Sequence, residues 1–264
     1  MTTDAVAEPR KPRRRTGRLV ALIALGVLAV LVVGYFVAEG AARNYATGLI
    51  HDELATALEL EADHPMQIDL GGGSLLVQAA SGTIDRVDVA IDDVPFGELT
   101  GNVILTATGV PLDTDKPSDT IAATADIDEA NVAKLRDFLS GVDLDSITLG
   151  DGVIDVSTTI KALFLKVPVS ASIAPSAANG ELVFTPESVT VNGAVVSIDD
   201  LSSGPLAGVA SKFLGARSLC VAQYLPEAVT LDDVSVTSDD LRLRFTGEKV
   251  ALGGAGLSTN GTCG

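Results

Sequence analysis

The chain has 264 residues, 35 acidic against 18 basic side chains, a formal net charge of −17, and 47% hydrophobic residues without a tryptophan. This acidic balance excludes a nucleic-acid-binding protein, because phosphate backbones are bound by clustered Lys and Arg. Electrostatic binding to anionic lipid headgroups is disfavoured for the same reason. The predominance of Val, Ile, Leu, Ala and Thr, with 26 glycines, predicts a β-rich protein with small turns.

Residues 19–38 form an uninterrupted apolar stretch that follows six basic side chains. A helix of that length spans roughly 30 Å, the thickness of a bilayer core. Because basic residues stay on the cytoplasmic side, we expect a cytoplasmic tail (1–18), a transmembrane signal-anchor helix (19–38) and an exported domain (41–264) in the periplasm or cell envelope. Small residues at 40–42 leave a cleaved and secreted form as the alternative. The exported part has 12 basic and 32 acidic residues, a formal charge of −20.

The exported part begins with a second predicted helical stretch and a predicted hairpin. Residues 41–63 carry one apolar stripe and end at His64 and Pro65, which predicts an amphipathic helix. Residues 82–110 then alternate apolar and polar side chains on either side of a Pro-Phe-Gly turn. This period of two predicts two long strands with one apolar and one polar face.

The remaining chain predicts further strands and two more helices. Helices are predicted over 126–140 and 205–214, from capping residues and apolar spacing. The predicted strands, all short runs bounded by turn residues, cover 120–125, 146–149, 153–161, 163–173, 181–184, 188–191, 194–198, 231–237 and 240–246. The fold class is therefore α+β with an antiparallel sheet.

The two cysteines, Cys220 and Cys263, both lie beyond the apolar stretch. In an exported, oxidising compartment a disulfide is the default expectation. It would close a loop of 44 residues, which is worth about 4 kcal/mol in the chain-entropy model. We expect it to hold the glycine-rich tail in place.

The sequence offers no convincing catalytic or metal site. It lacks the G-x-S-x-G, H-E-x-x-H and phosphate-loop motifs. His51 and His64 lie in or beside the helix predicted over 41–63, where solvation and helix termination are the ordinary explanations. Paired acids such as Asp92 and Asp93 fall at strand ends, where Asp bonds its own backbone. We therefore expect no enzyme activity, no cofactor and no bound metal.

The segment 81–110 carries the most specific motif of the chain. It contains G-x-(I/L/Y)-D-x-V, here GTIDRV, followed by a (V/L)-P-x-G-x-L turn, here VPFGEL. With the preceding helix and the closing run LPEAVTLDDVSVTSDDLRLRFTGEKVAL, this order resembles the actinobacterial LmeA-like phospholipid-binding proteins over roughly residues 41–263. The resemblance implies an elongated, strongly twisted antiparallel sheet wrapped on a few helices, as in tubular lipid-binding proteins. It also implies phospholipid binding and a role in maintaining mannan elongation of envelope lipoglycans.

Three hypotheses follow for the function. The first is a membrane-anchored, non-catalytic protein that binds phospholipid, or another acyl-chain lipid, in an apolar groove. The second is an envelope scaffold or partner-binding protein with a fully packed interior, and the third is a hydrolase or transferase with an unrecognised site. For the first hypothesis, the predicted groove is lined by Tyr45, Leu49, Leu54, Leu58, Val87, Val89, Ile91, Val103 and Leu105.

Overall fold

The computed structural model describes residues 15–96, 99–134, 144–162, 165–196, 217–253 and 259–263. The chain divides into two compact units, Met1–Ala46 and Thr47–Gly264. The described helices are α1 (Arg15–Ala57), α2 (Leu75–Ser81) and α3 (Glu129–Lys134). The described strands are β1 (Met66–Asp69), β2 (Thr83–Phe96), β3 (Leu99–Pro111), β4 (Thr120–Asp128), β5 (Ser146–Leu149), β6 (Ile154–Ala162), β7 (Leu165–Ala178), β8 (Glu181–Val191), β9 (Ala194–Val196), β10 (Arg217–Cys220), β11 (Thr230–Val236) and β12 (Asp240–Glu248).

The stretch predicted over 19–38 and most of the stretch predicted over 41–63 are one helix, α1, which ends at Ala57 and not at 63. The part in the first unit exposes large apolar side chains, among them Leu25 at 64% and Phe36 at 67%. Within Leu25–Ala57 an 18-residue stretch has a mean hydropathy of 2.0, so this helix is long and apolar enough to cross a membrane, and it is the one such helix in the described part of the chain. Because a signal sequence has the same properties, length and composition alone leave anchor and cleaved leader open.

The described strands form two antiparallel sheets where the sequence analysis expected one. The first sheet has the order β1-β2-β3-β4-β12-β11, so its last two strands come from far along the chain. The second sheet has the order β10-β8-β7-β6-β5, with β9 paired to the end of β8. The predicted α+β class, with an apolar N-terminal helix, antiparallel sheets and few helices, is confirmed.

The helix α2 is not among the elements predicted from the sequence. The Ser74 hydroxyl accepts a hydrogen bond from the Val77 N–H at 3.3 Å, and Gly82 ends the helix with a φ of 82°. A serine N-cap and a left-handed glycine C-cap are both visible in the sequence and mark such a helix. The predicted helix 126–140 begins as α3 at Glu129; its residues after 134, and the predicted helix 205–214, lie outside the described residues.

One apolar core joins the two sheets. Leu231, Val234 and Val236 of β11 and Leu241 of β12 are buried together with side chains of the second sheet. The second sheet contributes Ile147, Leu149, Ile154 and Leu182, and α3 contributes Val132. Where β11 and β12 face the second sheet, the space between the two sheets is therefore filled by side chains.

The opposite face of the first sheet carries ion pairs. Arg86 donates from Nε and Nη2 to the two carboxylate oxygens of Asp88, at 2.5 and 2.8 Å, and the Thr106 hydroxyl donates to Asp88 at 2.7 Å. On the neighbouring strands Arg242 donates to Asp126 at 2.6 and 3.1 Å. The alternation predicted for β2 and β3 thus separates a polar from an apolar face.

Replacing Arg86 by Gln is expected to weaken the acid sensitivity of folding. The hydrogen bond from Arg86, with that from Thr106, lowers the pKa of Asp88 despite partial burial. A lowered pKa adds stability above the ordinary Asp value of about 3.9, and this stability is lost as pH falls through the folded-state pKa. Wild type should therefore lose more stability than R86Q between about pH 5 and about pH 2, which urea unfolding at each pH would measure. Parallel pH profiles would contradict the role of the pair.

Candidate functional site

The apolar face of the first sheet is built from cross-strand rows. One row pairs Val89 with Leu105, Leu105 with Ala123, and Ala123 with Phe245. The next row pairs Val87 with Ala107 and Ala107 with Ile121. Because successive side chains alternate across a strand, these residues share one face.

The end of α1 and the turn after it cover one part of this face. Ile50, Leu54, Leu58 and Leu60 pack against a buried cluster formed by Val89, Ile91, Val94, Val103 and Ala125. The turn is held by two histidines, since His51 Nε2 donates to the His64 carbonyl at 2.9 Å and His64 Nε2 donates to the Asp92 carbonyl at 2.8 Å. The histidines therefore fix the covering segment on the sheet.

Burial decreases along three neighbouring strands away from this cover. On β2, Ile91 is 1% exposed and Val89 4%, whereas Val87 is half-buried and Asp85 is exposed. On β3 the buried Val103 is followed by the half-buried Leu105 and Ala107, and on β4 the buried Ala125 is preceded by half-buried residues. The half-buried residues form what we call the strip: Val87, Leu105, Ala107, Ile121, Ala123 and Phe245. The strip is thus apolar, less buried than the cluster beneath α1, and bounded on β12 by Gly247, over which Val250 and the Ala228 carbonyl lie.

Polar residues lie just beyond the end of the strip that is farther from α1. We call Asp85, Gly109, Asp119 and Lys249 the rim. Asp119 lies so close to Gly109 that a Cβ at that position would clash with its carboxylate, and Gly109 itself has a φ of 57°. Lys249 donates from Nζ to Asp119 at 2.6 Å, and their side chains are 70% and 62% exposed. Along these strands the side chains of the first sheet therefore change from apolar in the strip to charged at the rim.

The structure brings together most of the predicted groove residues. Val89, Ile91 and Val103 are buried in the cluster, and Leu54, Leu58, Val87 and Leu105 pack against it. Leu49 is 53% exposed, and Tyr45, which belongs to the first unit, is 76% exposed. That these nine residues line a lipid groove stays a prediction.

The predicted groove list leaves out several residues of this face and of the segment that covers it: Ile50, Leu60, Met66, Ile68, Ala107, Ile121, Ala123, Leu243 and Phe245. The alternation Leu241-Arg242-Leu243-Arg244-Phe245 is visible in the sequence and predicts a one-sided strand. The sequence does not show which strand pairs with β12, because its partner β4 lies more than a hundred residues earlier in the chain.

The described residues contain no group of three or more His, Cys, Asp or Glu side chains placed to hold a metal ion. Two of the predicted acidic pairs lie where the strands turn or shift register: Asp93 has a φ of 54° at a register shift of β2, and the Asp240 N–H donates to the Thr237 hydroxyl in the turn before β12. The pair at 199–200 lies outside the described residues.

The structure contains the disulfide between Cys220 and Cys263, with their Cα atoms 5.8 Å apart. Cys220 ends β10, and the tail residues around Cys263 also bond the preceding turn, since the Gly261 N–H donates to the Leu225 carbonyl at 3.0 Å. The disulfide therefore ties the described tail, 259–263, to the second sheet.

Comparison with known proteins gives one result. The sequence profile of the family described as LmeA-like phospholipid-binding matches residues 37–246, most of the chain and all of the strip. No curated protein and no solved structure gives a significant match. The chain belongs to the LmeA-like phospholipid-binding family.

Proposed function

We propose that this protein is a membrane-tethered, non-catalytic phospholipid-binding protein, and that the strip binds an acyl chain of the phospholipid. The observation that carries the proposal is the burial gradient, from the cluster beneath α1 to the half-buried strip. An apolar, partly covered surface continuous with the core gains free energy when an acyl chain removes it from water, at roughly 25 cal/mol per Å². Family membership supplies the class of ligand.

The shape of the strip suits a slender ligand. Ala107 and Ala123 lie on adjacent central strands, between larger side chains on either side. The small side chains of Ala107 and Ala123 leave a shallow depression between their larger neighbours. Phe245 is the one aromatic residue among the six residues of the strip. A site of this kind selects acyl chains by burial, without a fixed pattern of hydrogen bonds.

The tether is proposed from α1. Its apolar segment follows six basic residues, a pattern that holds the preceding tail in the cytoplasm and directs the second unit into the cell envelope. A role in maintaining mannan elongation of envelope lipoglycans is the corresponding family-level proposal. It requires that bound phospholipid be passed to, or sensed for, lipoglycan synthesis.

Photolabelling tests the binding site in the intact protein. The full chain is reconstituted in phosphatidylcholine vesicles that contain a trace of phosphatidylcholine with a diazirine in one acyl chain, and adducts are mapped by mass spectrometry after irradiation. We expect adducts on β3 and β4 of the strip in addition to those on the bilayer-facing part of α1. Adducts confined to α1 would contradict the proposal.

The packed cluster favours one competing function. Ile91 and Val94 are each 1% exposed, so protein side chains alone fill this part of the interior. An envelope scaffold whose interior holds no lipid would show the same cluster. Such a protein would give no adduct on the strip, so the labelling experiment separates the two functions.

A further inference from the structure

We propose that Lys249 binds the phosphate of the phospholipid whose acyl chain occupies the strip. The inference rests on the proposed function and names the group that recognises the polar part of the ligand. Lys249 lies three residues beyond the segment that the family profile matches.

The register of the first sheet places Lys249 next to the strip. Gly247 pairs with Ile121, and the Lys249 N–H donates to the Asp119 carbonyl at 3.1 Å. Asp119 is two residues from Ile121, or about 7 Å along a strand. The Asp119 carboxylate lies close to Gly109 at the end of β3 and accepts a hydrogen bond from the Lys249 ammonium. The positive charge of Lys249 is therefore held near the end of β3.

The direction of the ligand follows from the two ends of the apolar face. Towards α3 the core between the sheets is filled, with Val132 at 1% and Ile127 at 5% exposed. A polar headgroup cannot be placed there without losing its hydration. Towards the rim the side chains become exposed and charged, so a lipid lying along the strip presents its phosphate at the rim.

The charges of the rim make Lys249 the group on which phosphate binding depends. Asp85 and Asp119 repel an anion, as does the formal charge of −20 on the exported part. The ammonium has three N–H donors, and Asp119 takes one of them in the described structure. The remaining donors can form charge-assisted hydrogen bonds with phosphate oxygens.

The backbone at Lys249 is consistent with a functional position. Its φ of 52° is in the left-handed region, which is uncommon for lysine. This conformation turns the chain directly after β12, so that Val250 is buried at 2% exposure while the ammonium stays in solvent.

The test compares two lipid probes on matched variants of the full chain in phosphatidylcholine vesicles. One probe is the diazirine phosphatidylcholine, and the other is a diacylglycerol with the same photoreactive chain and no phosphate. Lys249→Gln should lower the ratio of phospholipid to diacylglycerol adduct on the strip about tenfold, the loss expected for a hydrogen bond to a charged group. Lys249→Arg should retain the wild-type ratio. The diacylglycerol adduct also reports that the variant is folded.

Lys116→Gln is the matched control, because Lys116 is 69% exposed and is paired with Asp113 at 3.3 Å in the loop between β3 and β4. It should leave the adduct ratio unchanged. An unchanged ratio in K249Q, or an equal loss in K116Q, would overturn the assignment while leaving acyl binding intact. A wild-type protein that gives neither adduct on the strip would instead refute the proposed function. Inorganic phosphate, at matched ionic strength, should not compete; competition that K249Q abolishes would assign the site to free phosphate.

Discussion

Leu105→Asp is expected to abolish labelling of the strip by the photoreactive phospholipid. Leu105 lies in the middle of the apolar face, paired with Val89 on one side and Ala123 on the other. A carboxylate there stays charged only if water reaches it, and an acyl chain would have to displace that water. We expect at least a tenfold loss of adduct, because desolvating an unpaired polar group costs more than 1.4 kcal/mol. Mass spectrometry of the irradiated vesicles measures the loss.

The matched control for this variant is Ile104→Asp. Ile104 is the neighbouring residue on the same strand, 50% exposed and on the opposite face. It should label like wild type. Leu105→Asp is also expected to lower the free energy of unfolding by roughly 2 kcal/mol, since a half-buried leucine loses its apolar contacts. A folded L105D protein that still carries the adduct on β3 and β4 would remove the strip as the acyl site.

The double variant Cys220→Ser/Cys263→Ser is expected to show the largest loss of stability. The disulfide closes a loop with a sequence separation of 43 residues. Removing it should lower the free energy of unfolding by about 4 kcal/mol in the chain-entropy model. For a unit of this size the melting temperature should fall by roughly 8–16 °C. Thermal unfolding followed by circular dichroism measures the shift.

Reduction of the wild-type disulfide is the companion experiment. Wild type in reducing agent should unfold at the midpoint of the double variant, whereas the reducing agent should leave the double variant unchanged. Lipid labelling should survive in both, because the disulfide joins the tail to the second sheet and the strip lies on the first. Equal melting temperatures of wild type and double variant would show that the remaining backbone bonds, such as Glu227 N–H to the Thr259 carbonyl at 2.8 Å, hold the tail by themselves.

Local patterns made much of the fold predictable. The alternation over 82–110 predicted the β2–β3 hairpin and its two faces, and the strand 146–149 has the predicted bounds. Strand β8 was predicted as two strands, because Pro186 interrupts the apolar alternation. In the structure Pro186 faces Ile173 where the pairing of β7 and β8 shifts register, so the strand continues through it.

The candidate site was only partly predictable, because it depends on distant pairing. Val89, Ile91 and Val103 share a face through alternation and a short turn, which a sequence shows directly. Phe245 joins that face only because β12 pairs with β4, and no local pattern specifies this partner. On α1 the apolar stripe continues past the point where the helix meets the sheet, so periodicity alone could not separate Leu54 from Leu49.

The pairing of β4 with β12 also sets the order in which the protein folds. Arg242 and Asp126, joined across these strands, are 116 residues apart, and the whole second sheet is inserted between them. During synthesis β4 is an open edge with unpaired N–H and C=O groups until β12 emerges. Folding is slowed because the entropy of closing so long a loop is lost before the contacts between β4 and β12 form. Until then the exposed edge of β4 can pair with other chains and promote aggregation. Truncated or slowly completed chains should therefore depend on chaperones more than the finished protein does.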